Sequence, residues 1–106
     1  MKMSEIEKML DEIGIPYRYH HFKTKEAVSP PFICYLYPES DNYFADGEVY
    51  QKINRLYIEL YTDEKNLENE IMIETVLDKY GFCYEKDETW IESEELYQVI
   101  YEMEVI

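Results

Sequence analysis

Glycine is scarce in this chain, present only as Gly14, Gly47 and Gly81, so no glycine-rich loop for cradling phosphates can be assembled. No run of about 18 apolar residues exists, which excludes a membrane-spanning helix. The opening Met1, Lys2, Met3, Ser4 and Glu5 pass straight into a charged helix in place of an apolar signal region, so the chain is expected to stay in a cytoplasm. Cysteine is limited to Cys34 and Cys83, far apart, with no C-x-x-C spacing and no companion histidines. Neither a zinc site nor a disulfide framework is expected, and both thiols read as reduced, partly buried strand residues. Positive charge is the largest shortage: 10 Lys and Arg stand against 24 Asp and Glu, for a net charge of −14. Residues 1 to 28 balance at five of each sign, so the whole excess lies in residues 29 to 106, with 5 basic and 19 acidic side chains. A phosphate backbone is bound by releasing counterions against a basic patch, and with none here no direct recognition of nucleic acid is expected.

Aromatic residues, by contrast, are abundant. Twelve Tyr, four Phe and one Trp are too many for a disordered acidic tail, so one folded domain over residues 1 to 106 is expected. Ser4 and Glu7 have the spacing of a capping box, and Ile6, Met9, Leu10 and Ile13 form one apolar stripe on a first helix that stops at Gly14. Strands are predicted at about Tyr17 to Phe22 and Phe32 to Tyr37, separated by a connection containing Pro30 and Pro31. A polar loop from Glu39 to Glu48 precedes a long strand, about Tyr50 to Tyr61, in which Leu56, Ile58 and Leu60 alternate with Tyr57, Glu59 and Tyr61. A second helix is predicted from about Asn66 to Tyr80, stopping at Gly81, with Met72, Ile73, Val76, Leu77 and Tyr80 as its main apolar face. Phe82 to Lys86, Thr89 to Glu92 and Leu96 to Val105 then read as an antiparallel meander. Together these elements predict an α+β domain in which two helices pack on one face of a largely antiparallel β-sheet.

Catalytic chemistry finds little support in the pattern. His20 and His21 are neighbours in a predicted strand, where they point to opposite faces and share no metal. The loop holding Asp41, Asn42, Asp46 and Glu48 lacks the ligand spacing of a calcium loop. No carboxylate pair stands out on so acidic a chain, and no enzyme activity, metal or cofactor is expected. Interaction surfaces are better marked. Ile33, Tyr35, Tyr37, Tyr57, Tyr61 and Ile100 are candidates for a sheet face turned away from the helices, where polar residues would be the norm. Leu67 and Ile71 fall together on the second helix, nearly opposite Met72, Val76 and Tyr80. Tyr43 and Phe44, beside Asp46, put an aromatic pair in an otherwise polar loop, either pinned to the domain's own sheet or inserted into a neighbour.

The runs PFICYL (Pro31 to Leu36), SDNYFAD (Ser40 to Asp46), IELYTD (Ile58 to Asp63), IESE (Ile91 to Glu94) and LYQVIYE (Leu96 to Glu102) occur in this order. In order and spacing the chain resembles, over nearly its whole length, the tail-completion or tail terminator proteins of long-tailed bacteriophages and prophages of low-GC Gram-positive bacteria. The resemblance implies a non-enzymatic structural subunit that forms a ring, commonly a hexamer, caps the finished tail tube and presents a surface to the head-completion connector. It implies as partners further copies of the chain, the major tail tube protein and the connector protein, and as location the host cytoplasm during assembly and then the tail neck of the virion. A ring lumen lined with Asp and Glu would repel passing DNA. The alternative from another class is a DNA-mimic inhibitor, whose carboxylates imitate phosphate spacing to block a DNA-binding enzyme.

Overall fold

Four apolar side chains three and four residues apart start the core: Ile6, Met9, Leu10 and Ile13 are all buried along one stripe of helix α1 (Met3–Ile13). The computed structural model describes residues 1–23, 28–40, 43–45 and 47–105, with side chains at all of these except 38–40, 43–45 and 49–51. The helix begins two residues earlier than the Ser4 and Glu7 pairing predicts. Lys2 is the N-cap, and its backbone N–H donates to the Glu5 carboxylate at 3.2 Å, so Ser4 lies inside the first turn. At the other end Gly14 adopts φ 83°, a left-handed conformation that costs glycine nothing, and its N–H donates to the Leu10 carbonyl.

The remaining elements are strands β1 (Tyr17–Tyr19), β2 (Phe32–Ser40), β3 (Tyr43–Ala45), β4 (Glu48–Gln51) and β5 (Asn54–Thr62), helix α2 (Leu67–Lys79), and strands β6 (Tyr84–Ile91) and β7 (Leu96–Val105). Five strands form one sheet in the order β1-β2-β5-β7-β6, antiparallel except where β1 runs parallel to β2, while β3 and β4 pair as a separate two-stranded ribbon. The domain is α+β, with both helices on one face of the main sheet. Pairing sets the phase of that face: Ile33 lies opposite Leu60 and Leu60 opposite Val99, while Tyr35 lies opposite Ile58 and Ile58 opposite Tyr101. These residues, with Leu56, Met103 and Val105, meet Ile6, Met9, Leu10 and Ile13 of α1 and Ile73 and Leu77 of α2 in a single core. Among the described residues, no helix is long and apolar enough to cross a membrane.

Several element boundaries differ from the sequence expectation, each for a local reason. Strand β1 stops at Tyr19 because His20 takes φ 66°, although its N–H still reaches the Tyr35 carbonyl at 2.8 Å. Strand β2 runs on through Pro38 to Ser40, since the proline falls between Leu36 and Glu39, where an extra residue bulges from the ladder and no amide is needed. The predicted polar loop contains most of the β3–β4 ribbon, and the predicted long strand from Tyr50 divides at Lys52 and Ile53 into β4 and β5. The final meander has two strands instead of three. Asp87 and Glu88, which resemble a turn in sequence, are paired with Ile100 and Val99 inside one continuous β6, because an exposed edge strand accommodates charge on both faces.

Candidate interaction surfaces

Period-two alternation that buries Leu56, Ile58 and Leu60 sends Arg55, Tyr57, Glu59 and Tyr61 to the sheet face opposite the helices. Register adds Phe32, Cys34 and Leu36 from β2 and Gln98, Ile100 and Glu102 from β7. Three cross-strand rows result: Phe32, Tyr61 and Gln98; Cys34, Glu59 and Ile100; Leu36, Tyr57 and Glu102. The first row continues into the connection before β2. Phe32 stacks on Tyr61 with ring centres 5.0 Å apart, Phe22 meets Phe32 edge-on at 5.4 Å, and the Arg18 guanidinium lies 5.4 Å over Phe22. Phe32, Leu36, Tyr57, Tyr61 and Ile100 are half-buried on a face that, among the described residues, carries no helix. The result is an aromatic and aliphatic strip interrupted at its centre by Glu59 and flanked along β7 by Gln98 and Glu102.

Those polar groups are locally satisfied. Gln98 Nε2 donates to the Tyr61 hydroxyl at 2.8 Å, and that hydroxyl donates to Glu59 Oε1 at 3.0 Å. Burial raises the Tyr61 phenol well above its ordinary range, Gln98 opposes this, and Glu59 adds to it. Burial, helped by Glu59, also pushes the Cys34 thiol up to about 11, so it stays protonated near neutral pH and serves as packing. Arg55 is salt-bridged to Glu102 and lies 3.8 Å from Glu104, so this corner of the face carries a paired charge.

The interface candidates read from the sequence separate in space. Tyr57 and Tyr61 lie on the open strip. Tyr35 does not: it is 4% exposed on the helix-covered face, edge-on to Tyr17 at 5.9 Å and to Tyr19 at 5.2 Å. Ile33 is fully buried beside it, and Tyr37 packs against the same core. The sequence alternation of β2 was legible, but not its phase, which only the pairing with β5 supplies. Leu67 and Ile71 are 60% and 61% exposed on α2, on the helix side of the sheet and away from the strip. Tyr43 and Phe44 lie in β3 by backbone, but their side chains, like Asp46 altogether, fall outside the described residues. Phe32, Leu36 and the Phe22 stack were not among the candidates. The signal for the first two was period-two spacing from Cys34.

A second cluster lies between α2 and the sheet. Glu70 is 1% exposed, with its oxygens 2.6 Å from Lys86 Nζ and 2.8 Å from Lys65 Nζ. Lys86 also lies 3.0 Å from Glu74, which accepts a hydrogen bond from the Tyr101 hydroxyl at 2.8 Å, while Lys65 reaches Glu88 at 2.6 Å. Burial pushes the Glu70 carboxyl up, but the two ammonium groups outweigh it and hold the carboxyl below its ordinary value. Burial followed by the Glu74 bond raises the Tyr101 phenol far above the ordinary range. The cluster ties α2 to the β5–α2 connection, β6 and β7. Nothing in the spacing of Glu70 within a charged helix signalled that it faces inward.

His20 and His21 correct a simpler expectation. The left-handed turn at His20 breaks strand alternation and brings the two Nδ1 atoms to 3.1 Å, with the rings edge-to-face. Among the described residues, no three of His, Cys, Asp and Glu gather as a metal-holding group. Compared with known proteins, the chain matches no family model and no curated sequence.

Proposed function

We infer that the protein is a non-enzymatic assembly subunit, and that it acts as a ring-forming tail-completion protein which caps a phage tail tube and meets the head connector. The observation that supports this reading best is the open strip: Phe32, Leu36, Tyr57, Tyr61 and Ile100 surround Glu59 on a sheet face that, among the described residues, has no helix over it. Aromatic and aliphatic groups held half-exposed on a rigid sheet suit a protein interface, where such residues supply most of the binding energy. Exposed Leu67 and Ile71 on the other side of the domain offer a second contact, and a subunit with two separate contact surfaces can join head to tail and close a ring. The charge of −14 has a place in the same reading, because carboxylates facing a lumen would let duplex DNA slide without adhering. The family assignment itself rests on the sequence resemblance.

Self-repulsion among subunits of charge −14 opposes assembly at low ionic strength and is screened by salt. Sedimentation velocity and native mass spectrometry are therefore expected to show mostly monomer at about 0.05 M salt and a closed oligomer growing in at about 0.5 M. Replacing Leu36→Thr and Ile100→Thr together is expected to remove the oligomer while changing monomer stability by only about 1 kcal/mol per site. A monomer at every salt and protein concentration, or an oligomer indifferent to the double substitution, would count against the strip as the contact.

A further inference from the structure

Strand β6 ends the main sheet, and nothing described pairs with its outer side. All eight residues, Tyr84 to Ile91, pair with β7 without a register shift, and the strand contains neither proline nor bulge. Long regular edges of this kind are templates for another strand unless their side chains forbid it. Here the side chains are selective. Glu85, Asp87 and Thr89 point to the open face; Tyr84, Lys86, Glu88 and Trp90 point to the helix side. Lys86 is held by Glu70 and Glu74, and Glu88 by Lys65, whereas no ion pair among those described involves Glu85 or Asp87. The hairpin tip beyond the strand adds exposed Glu92, Glu94 and Glu95. At the same end Trp90 is 43% exposed and leans on Tyr97, with ring centres 4.8 Å apart.

We propose that the outer edge of β6 receives an extended segment of a partner protein bearing lysine or arginine at alternate positions and an aliphatic residue that reaches Trp90. Main-chain hydrogen bonding supplies the fit common to strand addition, and alternate side chains supply the choice. Glu85 and Asp87 are two residues apart on one face, the spacing at which successive same-side residues of an added strand present basic groups. A groove of about 360 Å³ lies beside them, bounded by Tyr57, Ile100 and Glu102, and gives the stems of those residues apolar surface to follow. A second copy of this chain is the wrong occupant, since pairing β6 with itself brings Glu85 and Asp87 against acidic neighbours. The amide of Glu88 now donates to the Asp87 carboxylate at 3.1 Å, a local bond that the incoming strand replaces. The groove shares Tyr57 and Ile100 with the open strip, whereas the backbone edge of β6 and Trp90 lie outside it.

Trp90 is the only tryptophan, so its emission reports directly on the edge. The probe is a peptide of about eight residues, the length of an ordinary strand, alternating lysine with valine. Titrated into the full chain, it is expected to bind saturably, shift Trp90 emission and slow hydrogen exchange of amides in residues 84–91. Its dissociation constant is expected to rise about tenfold or more between about 0.05 and 0.5 M salt. The variant Glu85→Lys with Asp87→Lys, checked for an unchanged circular dichroism spectrum, is expected to lose about tenfold in affinity for this peptide and to accept one with glutamate in place of lysine. Absence of binding, equal binding to the variant, or protection mapped outside residues 84–91 would each overturn the proposal. So would protection of β6 amides that grows with protein concentration alone, because a second copy would then hold the edge.

Discussion

Replacing Lys86 by methionine is expected to destabilise the protein by about 2 kcal/mol near neutral pH, and the loss is expected to shrink as the solution is acidified. Glu70 stays ionised at 1% exposure because Lys86 and Lys65 stand 2.6 and 2.8 Å from its oxygens. Removing one cation leaves a buried carboxylate half-compensated. The cost lies below the 3 to 5 kcal/mol or so of a fully buried broken pair, because Lys65 remains and the Lys86 side chain is 34% exposed. The pH dependence follows from the direction of the Glu70 shift. In the parent the folded-state value lies below the ordinary 4.5, so its stabilising contribution is complete above that pH and is lost as pH falls through the lowered value. In the variant burial is opposed by one ammonium instead of two, and the value moves upward. A protonated Glu70 needs no lysine, so the two proteins converge in melting temperature on the acid side. Thermal melts from about pH 3 to pH 8 measure this. A stability gap constant across that range would show that Lys86 acts through packing over Tyr101 and not through Glu70.

Truncating Leu77 to alanine is expected to cost about 3 kcal/mol, because it leaves a cavity where α2 meets the core. Only Glu70, Ile73 and Leu77 of this helix are buried, so two aliphatic side chains supply most of its apolar anchorage. The cavity left by Leu77 lies under a helix otherwise attached through Ile73 and Val76, the Glu70 cluster, the Lys79 and Tyr80 bonds to Glu12, and the Tyr84 bond to Glu74. Hydrogen exchange is therefore expected to show α2 opening at lower free energy than β5 and β7, which remain protected. Met72→Ala is the matching control. Met72 is 41% exposed, and its loss is expected to change stability by about 0.5 kcal/mol or less. Equal effects at the two positions would mean that α2 docks by a different face.

That control also marks where sequence reasoning stopped short. Helix α1 was legible because its stripe is purely apolar and its other positions, Met3 apart, are polar, leaving one way to bury it. Helix α2 presents a mixed surface. Ile73, Val76, Leu77 and Tyr80 of the predicted face pack on the core, but Met72 is exposed and the ionised Glu70 is buried, and a carboxylate neutralised by lysines from β6 and the β5–α2 connection leaves no trace in helical periodicity. Strands behaved similarly. Alternation in β5 was clear, and the buried set Leu56, Ile58 and Leu60 follows it. In β2 the run Phe32-Ile-Cys-Tyr-Leu-Tyr is apolar on both parities, so the sequence allows Ile33 and Tyr35 on the open face, whereas both lie in the core. Phase in such a strand is a tertiary property, set by Ile33 opposite Leu60. Of the candidate interface residues, Tyr57, Tyr61 and Ile100 on the strip and Leu67 and Ile71 on α2 retain the exposure that an interface role needs.

The central claim, that this chain completes a tail by joining tube to connector, is tested most directly by electron microscopy of tails assembled with and without the protein. With it, tails are predicted to carry a ring of density at the head-proximal end of the tube and to join heads. Without it, that density and the joining are predicted to be lost together. Tails that look the same in both preparations and join heads equally well would contradict the account.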